Sequence, residues 1–157
     1  MKKRLLSFFV ATLITICATV SVGASDTLTV SDPCVMKSSV RPYASLYLND
    51  YSISFGDRDN CRMVITMDVN GVEIMDRIGC TKLVVEKKVN GTWILDDVLV
   101  SADYPEFYAY NTGSYFYSIN YYGEAGYQYR VTMTAYAGKD GGYDTGEVTS
   151  YVVTCRQ

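Results

Sequence analysis

The chain reads as all-β, an antiparallel β-sandwich of about seven strands, and three observations carry that reading. From Ala44 onward almost every segment alternates apolar and polar residues with period two, as half-buried strands do. Turn-forming residues such as Asn90-Gly91 separate the alternating runs. No segment beyond the first two dozen residues shows a helical period. Seven strands in roughly 110 residues fit two packed sheets around one core.

The N-terminus is different in kind. Lys2, Lys3 and Arg4 precede a nearly unbroken apolar run from Leu5 to Ile16, and Val22-Gly23-Ala24 supplies small residues for signal peptidase. A run of about a dozen residues is too short to span a bilayer, which takes about 20. Residues 1–24 therefore read as a signal peptide, 25–41 as a lead-in segment and 42–157 as one β-sandwich domain. Cys17 is preceded by Ile16, which is not the small residue that lipoprotein attachment needs. Cleavage after Ala24 removes three of the 14 basic residues and none of the 17 acidic ones, so the net charge moves from −3 to −6. An acidic surface of this kind argues against nucleic acid and anionic membranes as partners.

Element by element, Ala44 to Phe55 is a first strand, irregular near Asn49-Asp50. Cys61, Met63, Ile65, Met67 and Val69 form an apolar row opposite Arg62, Thr66 and Asp68. Cys80 to Val89 and Thr92 to Val100 flank Asn90-Gly91, the strongest short-range hairpin signal. Tyr115, Tyr117, Ile119 and Tyr121 share one face of the next strand. Tyr127, Tyr129, Val131, Met133 and Ala135 do so in the one after it, and a last strand runs from about Glu147 to Cys155. Gly123-Glu124-Ala125-Gly126 followed by Tyr127-x-Tyr129-x-Val131 resembles the E–F corner of immunoglobulin-like and fibronectin type III domains. That resemblance makes Tyr127 the corner tyrosine and labels the strands A, B, C, C′, E, F and G.

Four cysteines remain after Cys17 leaves with the leader, an even number that reads as a disulfide framework with three connectivities. On the sandwich labelling, Cys61 opens B near where Cys155 closes G, and Cys80 opens C near the lead-in carrying Cys34. The expected pairs are Cys61–Cys155 and Cys34–Cys80.

From about Arg41 to Val152 the chain also resembles a family of small secreted proteins of unknown function from Gram-positive gut bacteria (Firmicutes). The resemblance rests on Ala44-Ser45-Leu46-Tyr47-Leu48, Tyr51-Ser52-Ile53-Ser54, Met75-Asp76-Arg77-Ile78-Gly79, Asn90-Gly91-Thr92-Trp93, and Gly126-Tyr127-Gln128-Tyr129-Arg130 leading into Ala135-Tyr136-Ala137-Gly138-Lys139-Asp140-Gly141-Gly142. It implies origin and a secreted β-fold, and it brings no catalytic residue. The four cysteines are not part of its pattern.

Catalysis has little to stand on. The chain has no histidine, which removes Ser-His-Asp and Cys-His arrangements and the commonest zinc ligand. Gly-x-Ser-x-Gly elbows and phosphate-cradling glycine loops are missing as well. The expectation is a protein that is not an enzyme and uses no cofactor, a hydrolase with two carboxylates being the remaining catalytic option.

Tyrosine is the conspicuous excess: 15 in all, nine of them between Tyr104 and Tyr129. Those in alternating strands pack a small core. The loop Asp103 to Asn111 carries Tyr104, Phe107, Tyr108 and Tyr110 without alternation, so its rings either close the end of the sandwich or are offered to a ligand. Strand polarity brings this loop to the same end as Glu73, Asp76 and Arg77 of B–C and Lys139, Asp140, Tyr143, Asp144 and Glu147 of F–G. Such an end suits either a polar, aromatic binding surface or a calcium site. Asp57-Arg58-Asp59-Asn60 forms a second acidic loop at the opposite end. The expected function is a secreted binding module for an extracellular glycan, cell-wall component or protein, using Tyr104, Phe107, Tyr108, Tyr110, Asp140 and Tyr143. A secreted antagonistic (bacteriocin-like) or signalling protein is the alternative.

Overall fold

The computed structural model describes residues 36–156, the side chain of Asp59 excepted. The leader, Cys34 and most of the lead-in segment lie outside them. Eight strands form one antiparallel sheet: β1 (Met36–Val40), β2 (Leu48–Asp57), β3 (Arg62–Val89), β4 (Thr92–Val100), β5 (Tyr108–Tyr122), β6 (Gln128–Lys139), β7 (Gly142–Thr149) and β8 (Val153–Thr154). Helical geometry in the described residues is confined to two single 3-10 turns, Asp59–Cys61 and Pro105–Phe107.

β3 is the spine, with 28 residues where two separate strands are expected from sequence. β5 and then β4 lie end to end along one of its edges, while β2 and then β6 lie along the other. The first half of β3 thus carries β1, β2 and β5, and the second half carries β4, β6 and β7. The sheet curls into an open half-barrel. Tyr121 pairs with Met63 near the start of β3, and Asp96 lies opposite Val85 and Glu86 near its end, yet the Tyr121 hydroxyl donates to Asp96. Lys87, its side chain only 14% exposed, bridges Asp96 and Glu124 along the same seam.

The core follows the predicted alternation. Met63, Ile65, Met67 and Val69 are fully buried, as are Val131, Met133 and Ala135 on β6. Within β3 the inward set runs Met63 to Val69 on odd residues, Ile78 and Cys80 on even ones, and Leu83 and Val85 on odd ones again. A one-residue slip turns every later side chain to the other face. Register shifts between Asn70 and Met75 and between Cys80 and Lys82 account for both changes, and they let one strand serve both halves of the curl. Gly79 sits at this crossing with φ +149°, and a methyl there would overlap the Phe107 carbonyl.

Both tight hairpins are of the primed kind. Asn90-Gly91 has φ values of 50° and 83°, and Asp140-Gly141 has 51° and 82°. Several expectations need correction. Met36–Val40, assigned to an unpatterned lead-in, pairs along the whole of Tyr51–Phe55. The final strand is interrupted: β7 ends at Thr149, and Ser150 replaces ladder contacts by donating its N–H to Val131 O while its hydroxyl accepts the Val131 N–H.

The tyrosine whose hydroxyl ties down the backbone of the β5–β6 turn is Tyr129, not Tyr127. Its buried hydroxyl accepts the Glu124 N–H at 2.8 Å, whereas Tyr127 lies partly in solvent under the Lys87 ammonium. Tyr127 precedes β6, which begins at Gln128, so the inward alternation of the strand starts at Tyr129 and continues through Val131 and Met133.

Cys61 and Cys155 are bonded, with Cα atoms 4.9 Å apart, as expected. Cys80 is a free, fully buried thiol whose Sγ faces the Lys82 carbonyl at the bend of β3. Cys34, its expected partner, lies outside the described residues. Burial pushes the Cys80 thiol up to about 12.

Candidate binding platform

Two neighbouring rows across four strands build the most organised polar cluster on the surface. In one row Tyr110 of β5, Arg77 of β3, Gly138 of β6 and Tyr143 of β7 stand side by side. In the next, Tyr108, Gly79, Tyr136 and Thr145 do the same. The rows are two residues apart on every strand, so their side chains share one face. The glycines alternate with the large residues and leave room for rings to lean. Tyr136 lies over Gly138, where an added methyl would strike its hydroxyl.

Arg77 occupies the middle. Its guanidinium carbon is 4.7 Å from the Tyr108 ring centroid and 4.5 Å from that of Tyr136. The two rings meet edge to face at 5.7 Å, and Tyr143 stacks on Tyr136 at 5.5 Å and 20°. Hydrogen bonding to Tyr136 raises the Arg77 pKa above its already high ordinary value, against the opposing effect of burial. No carboxylate among the described residues forms an ion pair with Arg77. Its faces lie against rings, and it is partly open to solvent.

The surrounding carboxylates hold the end of the molecule together. Lys139 pairs with Glu73 at 2.8 Å. Asp76 accepts the Asp140 N–H at 2.8 Å, tying the β6–β7 hairpin to β3. Asp144 accepts the Ser45 hydroxyl and the N–H groups of Leu46 and Tyr47 at 2.7 and 2.8 Å, anchoring the segment before β2. The Ser45 hydroxyl, followed by those backbone donors, holds the Asp144 carboxyl below the usual range. Glu106 receives the Tyr117 hydroxyl, and Glu147 receives that of Thr134. Among the described residues no three carboxylates converge closely enough to hold a metal ion.

The expected binding residues separate into two groups. Tyr108, Tyr110 and Tyr143 belong to the platform, with Tyr110 and Tyr143 each 62% exposed, and exposed Asp140 sits on the adjoining β6–β7 hairpin. Tyr104 and Phe107 lie off the platform. The 3-10 turn turns the Phe107 ring fully inward, where it stacks on half-buried Tyr104 at 5.0 Å and meets Tyr117 edge-on. These two rings plug the open side of the curl, the alternative weighed for this loop. Strand polarity places Arg77 at this end but outside the expected binding set, and Tyr136 is not in that set either. Its signal was present: an aromatic on the outward parity of β6, two residues before Gly138.

A second, shallow depression of about 230 Å³ lies near the other end, lined by Arg58, Arg62, Val64, Ser118, Ile119 and Asn120. It contains none of the expected residues. No family model, curated protein or solved structure matches the chain.

Proposed function

We propose that this chain is a secreted, non-catalytic glycan-binding module with an immunoglobulin- or fibronectin type III-like sandwich, and that its contact surface is the Arg77–Tyr108–Tyr110–Tyr136–Tyr143 platform. The division of strands into β2–β3–β5 and β4–β3–β6–β7 supports the fold, since it parallels A–B–E and C′–C–F–G. The leader-like N-terminus and the Cys61–Cys155 bridge agree with an oxidising, extracellular setting.

One observation carries the functional reading: exposed rings on a rigid four-strand base, around an arginine without a carboxylate partner. Tyr110 and Tyr143 offer faces to the apolar side of a pyranose. The Arg77 N–H edge donates to sugar oxygens, and the exposed Asp140 carboxylate accepts from sugar hydroxyls. The test is a pull-down of the protein on insoluble cell walls and on mucin. The expected result is retention that drops at least about tenfold in Tyr110→Ser/Tyr143→Ser, equivalent to about 1.4 kcal/mol. Tyr104→Ser is expected to leave retention unchanged at temperatures where the variant stays folded. Retention indifferent to the Tyr110 and Tyr143 changes, or none for the parent protein on either material, rejects the assignment.

A further inference from the structure

We propose that the free edge of β5 pairs with the same edge of a second copy of this chain, joining two sheets antiparallel about a twofold axis. Between Ser114 and Tyr122, β5 runs in unbroken register with β3, residue for residue against Asn70 to Arg62. Its other edge has no partner strand among the described residues. A row of unpaired N–H and C=O groups of this length is a template for another strand unless something blunts it.

The other edges are blunted. β4 bulges at Asp96, between the Val85–Asp97 and Glu86–Leu95 pairs, and carries two adjacent carboxylates. β7 carries Asp144 and Glu147 and breaks off at Ser150. β1 has five residues, one of them Lys37. Ser114–Tyr122 has no charge, no proline and no bulge of its own, and its tyrosines, phenylalanine and isoleucine favour extended structure.

The occupant follows from that composition. An antiparallel β5–β5′ pair sets no like charge against itself, whereas β4 paired with itself would set Asp96 and Asp97 against their own copies. Tyr117, Ile119 and Tyr121 are only partly buried where they extend the core, and Phe116 and Tyr122 are more than 70% exposed on the opposite face. A second β5 covers both sets with identical, uncharged side chains. The pairing does not depend on what the platform binds. It would set two platforms on one continuous sheet, favouring a repeating, multivalent target.

Sedimentation equilibrium of the full-length chain, produced in an exporting host, tests this over a concentration series. The expected result is a concentration-dependent rise from the monomer mass to twice that mass. Ser114→Lys/Ser118→Lys, two changes at exposed positions, is expected to stay monomeric throughout with an unchanged far-ultraviolet circular dichroism spectrum. Leu95→Lys on the β4 edge is expected to dimerise like the parent. A parent protein that is monomeric at every concentration overturns the proposal. So does a dimer that withstands the β5 lysines or is dissociated by Leu95→Lys.

Discussion

Replacing Tyr129 by Phe removes one oxygen atom and keeps a fully buried ring in place. That oxygen accepts the Glu124 N–H across the β5–β6 connection at 2.8 Å. Loss of a hydrogen bond costs about 0.5–1.5 kcal/mol net, and a donor left dry costs about 1–3 kcal/mol. Glu124 is exposed, which lets water reach part of the vacated donor, so about 1.5 kcal/mol is the expected loss. For a domain of this size 1 kcal/mol corresponds to about 4 °C, giving a drop in melting temperature of about 6 °C. Tyr127→Phe is the matched control. Its ring lies 5.1 Å from the Lys87 ammonium, its hydroxyl makes no hydrogen bond among the described residues, and Phe preserves the ring, so a change within about 0.5 kcal/mol is expected. Thermal and urea unfolding followed by circular dichroism measure both variants. Equal losses, or a larger loss for Tyr127→Phe, would refute the assignment of that tie to Tyr129.

The Cys61–Cys155 bridge spans 94 residues, and in the chain-entropy model a loop of that length stabilises by about 4.7 kcal/mol. Cys61→Ala/Cys155→Ala should therefore move the urea midpoint down by about 2 M for a slope of about 2 kcal/mol/M, and an unchanged midpoint would contradict the bridge. Asp144 has a folded-state pKa below its unfolded value. Its contribution is present above the unfolded value and is lost as pH falls through the depressed folded one. Asp144→Asn should lower stability near neutrality and flatten its decline in that acid window, as read from unfolding free energies measured against pH. A parent-like acid slope in the variant would count against the anchoring role.

Much of the fold was legible locally. Alternation located the inward rows of β3 and β6, Asn90-Gly91 located a hairpin, and strand polarity placed Cys61 beside Cys155. The continuity of β3 was not, because it depends on two register slips whose compensation is visible only against β5 and β6. Met36–Val40 escaped notice for a similar reason: its strand character comes from hydrogen bonds to β2, not from its own apolar pattern. Part of the platform was readable, since polarity brought Tyr108, Tyr110, Asp140 and Tyr143 to one end. The centring of Arg77 between Tyr108 and Tyr136 required lateral neighbours on three strands, which spacing along the chain does not encode. The inward turn of Phe107 depended on the open side of the curl, which no local signal announces.

The long β3 strand also governs how the domain comes apart. Because β2, β4, β5 and β6 all hydrogen-bond to it, neither half of the sheet can open without exposing the backbone on which the other half is ordered. Two sheets joined only by loops can melt in stages, each as its own cooperative unit; here the boundary between such units is abolished at Asn70–Lys82. The consequence is a single foldon whose slowest-exchanging amides lie along β3 and whose subglobal openings are confined to the edges, β1, β8 and the ends of the hairpins.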